Sequence, residues 1–320
     1  MTTPADLAAL PYADFVAQTM AFFAALPPTD YSRALEAGYM VGWRSWDSQM
    51  CLRYGDFKNT DHVLDVGSWL TFWPLFLSRY VSIITASDNF YWAERDFARN
   101  VPPPQAWRDT IEELSSYLPH VTLWTDKVDL QAIQYPDDDL DKITCISTIE
   151  HVHDDALAMR EMMRCLRPGG LLLLTTEYDP VRGKDYSETD GSFYRVYSEE
   201  TFSALIAPYK VLHREISTLP HEHYFTVAFV AIEKEGSMEH WDKQPSPLAF
   251  VQKEHNEAFP GRTMKLGGLI IAVVKEGVCV NGGGYGTNPN SDEMREMLDV
   301  MRECVADWDR RYGLDKPNGN

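Results

Sequence analysis

Apolar and polar positions alternate with two different periods between residues 61 and 235. Short apolar runs of β-type residues predict seven strands, at residues 62–66, 81–86, 121–125, 142–147, 171–177, 211–218 and 224–233. Segments with helical spacing predict helices between them, at residues 70–80, 91–100, 154–166 and after the N-cap residue Ser198. The four consecutive leucines at 171–174 are typical of a strand that is buried on both faces.

Strands that alternate with helices at this spacing predict an α/β fold. We expect a doubly wound, mainly parallel, seven-stranded Rossmann-like sheet, whose last two strands are an antiparallel pair. Three regions follow from this pattern: an N-terminal helical lid (1–60), the Rossmann-like core (61–235) and a C-terminal α+β extension (236–320). The lid is predicted as a helix at 5–26 and one or two more helices at 30–55. The extension is predicted as a helix (247–258), a strand (269–274), a Gly-rich turn (282–286) and an acidic helix (292–312).

The charge balance of the 320 residues limits the partners of this chain. Twenty-nine basic and 48 acidic residues give a net charge of −19, which repels bulk nucleic acid and anionic membrane. No apolar run is long enough to span a membrane, and the N-terminus has no basic segment. The five cysteines form no CxxC pair, so we expect reduced thiols and a cytoplasmic location.

The turn after the first strand carries the first candidate chemistry. The strand at 62–66 ends at Gly67, a residue that can adopt the positive φ of a sharp turn. Asp88 ends the second strand, a little over 20 residues beyond Asp65, close to the offset at which nucleotide-binding βαβ units place a carboxylate on a ribose diol. Because ligands of doubly wound sheets bind at the carboxyl ends of the strands, these residues predict a nucleotide-type site there.

Four segments in this order resemble the motifs of the class I S-adenosylmethionine-dependent methyltransferase family. They are residues 63–67 (VLDVG), 86–88 (ASD), 129–141 and 146–154 (ISTIEHVHD), the last followed by LRPGG at 166–170. The resemblance implies S-adenosylmethionine as the cofactor. The cofactor-binding residues that it implies are Asp65, Gly67, Ser68, Asp88, Asn89, Asp129, Leu130 and Ser147. Asp65 and Gly67 would meet the methionine end, Asp88 the ribose, and Asp129 with its neighbour the adenine; Asp126 competes with Asp129 for this role.

The resemblance implies methyl transfer to an oxygen or nitrogen atom of a small-molecule acceptor. His151 lies just past the fourth strand, where an imidazole could take a proton from the acceptor as a general base. The alternative is a packing or capping role. Tyr178, Arg195 and Tyr197 flank a loop at the edge of the expected pocket, where Arg195 pairs either with an acidic substrate group or with the protein's own carboxylates. A homodimer is left open.

One position departs from the family's GxGxG pattern, since Trp69 stands where the second glycine is expected. An indole at this position must point away from the cofactor or reshape the site. The missing glycines disfavour an NAD(P)-dependent oxidoreductase, whose pyrophosphate needs them. The other alternative is a non-catalytic, methyltransferase-like scaffold or subunit in which Trp69 fills the cofactor site.

Three further clusters carry weaker signals. His221-Glu222-His223 and His153-Asp154-Asp155 would form a metal site only if the fold joined them, and no HExxH spacing is present, so no metal is expected. The glycines at 282–286 lack a GK[ST] ending and predict a flexible turn rather than a phosphate loop. Tyr39, Trp43 and Trp46 are core residues or, if the N-terminal helices cover the pocket, contacts to an apolar acceptor.

Overall fold

A computed structural model describes residues 4–27, 29, 45–69, 71, 73–94, 103–118, 121–187, 193–217 and 226–235. The described residues belong to the first of two compact units, which divide between Ser237 and Met238. The elements predicted within 236–320 and the first part of the helical segment at 30–55 lie outside the described residues. The predicted domain boundaries and the lid role of the N-terminal helices stay predictions.

Nine strands occur among the described residues. They are β1 (His62–Val66), β2 (Ile83–Asp88), β3 (Thr122–Lys127), β4 (Leu140–Ile146), β5 (Leu166–Tyr178), β6 (Lys184–Ser187), β7 (Phe193–Val196), β8 (Lys210–Ile216) and β9 (Thr226–Glu233). Seven of them form one sheet in the order β3-β2-β1-β4-β5-β9-β8. The first five are parallel neighbours, and β9 runs antiparallel to both β5 and β8. The predicted fold class is confirmed, including the antiparallel last pair.

Helices precede and connect these strands. They are α1 (Pro4–Ala8), α2 (Tyr12–Ala24), α3 (Ser45–Tyr54), α4 (Trp73–Leu77), α5 (Pro104–Ser115), α6 (Asp155–Cys165) and α7 (Glu199–Ile206), with short 3-10 helices at Tyr91–Glu94 and Ile149–His151. Ser198 caps α7 as expected, in a reciprocal capping box with Thr201. Pro74 lies in the first turn of α4, where a proline is tolerated.

Two predicted elements are wrong. The single helix at 5–26 is two helices, because Pro11 restricts the conformation of Leu10 and takes the N-cap position of α2. The loop from Tyr178 to Tyr197 contains the antiparallel pair β6 and β7, with Asp185 opposite Arg195. A hairpin signal was present in the sequence, since Asp190-Gly191 stands between the two short runs.

An apolar cluster packs the N-terminal helices and α4 and α5 onto the sheet. Phe15 of α2, Met50 of α3, Leu75 of α4 and Trp107 of α5 are at most 4% exposed within it. Strands β1 and β4 are buried along their whole length. A sheet so covered offers its strand ends, rather than its faces, to a ligand.

Candidate functional site

The carboxyl ends of β1, β2 and β4 lie side by side, because these strands are parallel neighbours. Val66 of β1 pairs with Ser87 of β2 and with Cys145 of β4. The order of the strands reverses here, since β2 and β3 continue on one side of β1 and β4 and β5 on the other. Doubly wound proteins bind ligands in the crevice at such a point. We call the turns at the ends of β1 to β4 (65–69, 87–90, 126–130 and 146–151) the carboxyl edge.

Asp65 lies near the end of β1, and it is 2% exposed. Thr144 Oγ1 on β4 donates to one carboxylate oxygen at 2.5 Å, and Ser68 Oγ donates to the other. Burial raises the pKa of Asp65 to about 7, the two hydroxyl donors lower it, and the Asp88 carboxylate raises it. The charge of Asp65 therefore changes near neutral pH, and a bound cation would favour the ionised form.

Gly67 forms the turn after β1 with φ +75°, which confirms the expected positive φ. A Cβ at this position would lie 2.0 Å from Thr148 Oγ1, in the turn after β4. Thr148 Oγ1 in turn donates to Ile146 O at 3.0 Å. The glycine therefore allows the turns after β1 and β4 to touch, which no residue with a side chain would allow.

Ser68 joins the ends of β1 and β2. It is fully buried, its N–H donates to Ser87 O at 2.8 Å, and its hydroxyl accepts from Ser87 N–H at 3.2 Å. With the bond to Asp65, these contacts engage the hydroxyl inside the protein. A direct cofactor contact by the Ser68 side chain stays a prediction, and its observed bonds orient Asp65.

Asp88 ends β2, and two backbone N–H groups hold its carboxylate. Trp69 N–H donates to Oδ2 at 3.2 Å, and Phe90 N–H donates to Oδ1 at 2.6 Å. Burial raises the pKa of Asp88 to about 6, and these two bonds lower it. Because a carboxylate oxygen has two lone pairs, each oxygen keeps one acceptor position beyond these bonds.

Trp69 turns its indole into the apolar core, and its orientation relative to a bound cofactor stays a prediction. The side chain is 6% exposed and meets Phe90 edge-on, with 6.3 Å between the ring centroids. Phe90 has a left-handed backbone (φ +59°) and also packs on Trp107. The Arg108 guanidinium lies 4.9 Å over the Phe90 ring. Burial raises the pKa of the nearby Asp126, and the charge of Arg108 lowers it.

The remaining adenine and ribose candidates surround Asp88. Asn89 and Asp129 are exposed, and each side chain accepts the N–H group two residues later at 2.9 Å. Leu130 is 5% exposed. Val128 N–H donates to Asp88 O at 3.2 Å, so the turn after β3 lies beside the end of β2. The structure brings these residues to one edge, and their contacts to a cofactor stay predictions.

Ser147 follows β4 with a positive φ of 42°, which is unusual for a residue with a side chain. Its N–H donates to Thr175 O and to Thr175 Oγ1, both at 3.1 Å. The hydroxyl is buried and has no hydrogen-bond partner among the described residues. A buried hydroxyl without a partner is costly unless a ligand or water satisfies it, so Ser147 is a ligand-binding candidate on structural grounds as well.

His151 ends the short 3-10 helix after β4, and the hairpin β6–β7 packs against it. Its Nδ1 lies 3.4 Å from Phe193 O, and its ring stacks on Tyr194 with 5.7 Å between the centroids. Arg195, which lies on β7 beside Phe193 and Tyr194, forms ion pairs with Asp155 and with Asp185 (2.8 Å). Of the two partners expected for Arg195, the structure shows the protein's own carboxylates.

Sequence reasoning missed several residues of this edge. Thr144 lies outside the four motifs, and Thr148 lies in the motif at 146–154 but had no expected role, because the roles of both arise from contacts with β1 across the sheet. Tyr194 was missed with its hairpin. Tyr178 and Tyr197, expected at the pocket edge, are 3% and 1% exposed, so both are core residues.

The other candidate clusters from the sequence contribute no functional residue among the described ones. His221-Glu222-His223, the glycines at 282–286, Tyr39 and Trp43 lie outside the described residues. In the part of the chain that the structure describes, no group of three or more His, Cys, Asp or Glu residues could hold a metal ion. No helix of that part is long and apolar enough to cross a membrane.

The chain is similar to known proteins in part of its sequence and in its fold. Residues 107–174 match the family model described as "Methyltransferase domain". No curated protein matches the sequence. Many solved structures are similar in fold, including the following three. The Burkholderia thailandensis 1,6-didemethyltoxoflavin-N1-methyltransferase, solved with S-adenosylhomocysteine, is 15% identical (TM-score 0.48; 74% of this chain and 92% of that one). The [4+2]-cyclase SpnF is 15% identical (TM-score 0.49; 70% and 94%). A Haloferax volcanii putative methyltransferase, solved with its Trm112 activator, is 14% identical (TM-score 0.46; 61% and 91%). These structural similarities are too weak to decide an activity.

The sheet order, which reverses at β1 and β4, defines a Rossmann-like sheet. Proteins with such sheets bind ligands beside the carboxyl ends of these strands. The family match over residues 107–174 covers β3, β4 and most of β5, which form half of the carboxyl edge. Over these residues the chain is similar to a methyltransferase domain, in agreement with its resemblance to the S-adenosylmethionine-dependent methyltransferases.

Proposed function

We propose that the protein transfers a methyl group to an oxygen or nitrogen atom of a small-molecule acceptor, with the cofactor held at the carboxyl edge. The observation that carries the proposal is the Asp88 carboxylate. Two backbone N–H groups orient it, and each of its oxygens keeps one acceptor position. A ribose diol presents two hydroxyl donors, which is the complement of that arrangement.

Two further features of the edge fit the cofactor. The ionised forms of Asp65 and Asp88 are disfavoured by burial, and the charge of Asp88 adds to this effect at Asp65. The sulfonium and ammonium groups of S-adenosylmethionine carry the positive charge that would relieve both. The Ser147 hydroxyl, buried and without a partner among the described residues, offers one more polar contact.

The chain's own residues would mainly position the reactants. When bound, S-adenosylmethionine would supply a methyl carbon to which the acceptor oxygen or nitrogen bonds, while the bond from that carbon to the sulfonium sulfur breaks and the neutral thioether leaves. His151, at the turn after β4, takes the proton that the acceptor loses. Holding two reactants in line lowers the barrier of such a transfer by itself, so His151 assists rather than replaces positioning.

The acceptor class and the location rest on charge and on cysteine state. A net charge of −19 disfavours RNA or DNA as the acceptor, which leaves a small molecule. Cys51, Cys145 and Cys165 are free and buried. Reduced cysteines are typical of cytoplasmic proteins, and we place this one there.

Calorimetric titration with S-adenosylmethionine and, separately, with NADH tests the proposal. Asp88→Asn replaces one carboxylate oxygen by an NH₂ group that faces a backbone N–H donor. We expect a micromolar dissociation constant for the wild type, a loss of at least about tenfold in Asp88→Asn, and no heat with NADH. Asp56→Asn is the matched control, because Asp56 is exposed and has a positive φ that asparagine tolerates.

A variant that binds as well as the wild type would remove Asp88 from the site. A folded wild type that gives no heat with either ligand would favour the non-catalytic scaffold. Binding of NADH alone would favour the oxidoreductase.

A further inference from the structure

The β6–β7 hairpin contacts the segment that carries His151 at three consecutive residues of β7. Phe193 packs on His153 with 4.2 Å between the ring centroids, and Tyr194 stacks on His151 at 5.7 Å with 30° between the planes. Arg195 Nη2 donates to His153 O at 3.4 Å. Three adjacent residues of β7 thus contact the segment after β4, two through aromatic rings and one through a hydrogen bond to a backbone carbonyl.

The contact between His151 and the backbone of β7 bears on its chemistry. His151 Nδ1 lies 3.4 Å from Phe193 O. A carbonyl oxygen only accepts hydrogen bonds, so this contact favours the neutral imidazole that carries its proton on Nδ1. In that tautomer the lone pair is on Nε2, which becomes the nitrogen able to accept a proton.

Tyr194 restricts the orientation of the same ring. Its ring stacks on the imidazole, and its hydroxyl donates to Glu177 Oε2, at the carboxyl end of β5. The ring of Tyr194 is therefore held by its stacking on His151, and its hydroxyl is held by Glu177 of β5. A ring fixed in this way prevents the imidazole from turning about its bond to Cβ, which would carry Nδ1 away from Phe193 O.

Arg195 anchors the hairpin. Its side chain is 14% exposed, pairs with Asp155 at the start of α6 and with Asp185 on β6, and lies 5.0 Å over the Phe193 ring. Tyr197 OH donates to the same Asp155 carboxylate at 2.8 Å. Charge-assisted bonds of this kind hold β7 at a constant distance from the segment after β4.

We propose that the β6–β7 hairpin sets the tautomer and the orientation of His151, with Tyr194 as the positioning residue that directs Nε2 toward the acceptor. The inference rests on the proposed function for its catalytic consequence, since a general base needs its lone pair on the nitrogen that faces the acceptor. Its structural content, a protonated Nδ1 that depends on the Tyr194 ring, can be measured without any substrate.

The test is long-range ¹H–¹⁵N NMR of the full chain labelled at its nine histidines. The His151 signals are assigned by their absence in His151→Gln, and spectra are recorded about two units above the usual imidazole pKa. We expect Nδ1 protonated and Nε2 unprotonated in the wild type. Tyr194→Leu should shift His151 toward the other tautomer, while Tyr194→Phe, which keeps the ring, should not.

Tyr54→Leu is the matched control. Tyr54 also stacks on a histidine, His213 at 4.3 Å, and also donates to a glutamate, Glu215 at 2.6 Å, but it lies on α3 and contacts β8. Its replacement should leave the His151 signals unchanged. With an acceptor in hand, Tyr194→Leu should lower kcat about tenfold or more, while S-adenosylmethionine affinity stays within about twofold.

Each outcome decides the proposal. A wild type protonated on Nε2, or a tautomer that is unchanged in a folded Tyr194→Leu, would overturn it. The expected tautomer shift together with failure of cofactor binding would reject the proposed function and leave the control of His151 by the hairpin standing.

Discussion

The two ends of the parallel strands both bury carboxylates, but different groups stabilise them. At the opposite end from the carboxyl edge, which we call the amino edge, lie Asp61, Asp141, Lys142 and Arg167. Burial raises the pKa of Asp61 to about 6 and that of Asp141 above its usual value. Arg167 lies 2.6 Å from Asp141, and the charge of Lys142 lowers the pKa of Asp61. The amino edge therefore holds its own cations.

At the carboxyl edge, Asp65 and Asp88 are stabilised without a cationic partner. Among the described residues, hydroxyl groups donate to Asp65 and backbone N–H groups to Asp88, and neither carboxylate has a lysine or arginine partner. Burial leaves both with raised pKa values that no ion pair offsets. Perturbed carboxylates that are oriented but not neutralised are typical of binding sites, whereas neutralised ones are typical of structural networks. The comparison therefore agrees with the proposed ligand, whose positive charge would offset the charges of Asp65 and Asp88.

The largest effect is expected from Gly67→Ala at the carboxyl edge. The new Cβ would lie 2.0 Å from Thr148 Oγ1 and would require a side chain at φ +75°. Strain and overpacking together should lower the free energy of unfolding by about 2 to 4 kcal/mol and abolish cofactor binding. Urea unfolding and calorimetry measure the two losses.

The double variant Gly67→Ala/Thr148→Gly separates the two causes. It removes the clashing side chain and keeps the positive φ, so part of the stability should return. Full recovery would show that the positive φ costs nothing at this position.

An intermediate effect is expected from Arg167→Met at the amino edge. Removing the cation leaves Asp141, which is 5% exposed, without its ion-pair partner. We expect a loss of about 2 kcal/mol in the free energy of unfolding, below the range for fully buried pairs because the Arg167 side chain is 23% exposed. The S-adenosylmethionine dissociation constant should stay unchanged. A drop in affinity as large as that of Asp88→Asn would erase the distinction between the edges.

The smallest effect concerns pH. The pKa of Asp65 is raised to about 7 in the ligand-free protein, and a cationic ligand binds best to the ionised form. Above this pH the affinity should be constant, and below it binding must expel a proton. The dissociation constant should therefore rise by at most about tenfold per pH unit as the pH falls below 7.

Calorimetry in two buffers of different ionisation enthalpy detects the expelled proton. Asp65→Asn should bind more weakly at high pH and lose this proton release. A dissociation constant that is flat between about pH 6 and pH 8 would mean that no carboxylate of the edge changes charge on binding.

The sequence by itself determined the architecture, because its signals are local. Apolar runs of strand length predicted the seven strands of the sheet, Gly67 the positive φ, and Ser198 the start of α7. Each of these depends on residues within about four positions, where steric limits and capping bonds act directly. The positions of Asp65 and Asp88 followed too, since both end strands that parallel pairing brings together.

Only the tertiary structure decided how the site is completed. The indole of Trp69 lies in the core because Phe90 packs against it, and Thr144 orients Asp65 from a strand 79 positions away. The hairpin contacts His151 through Tyr194, and Arg195 binds carboxylates of the protein rather than of a substrate. Each outcome depends on side chains that are distant in sequence, and their packing cannot be read from local periodicity.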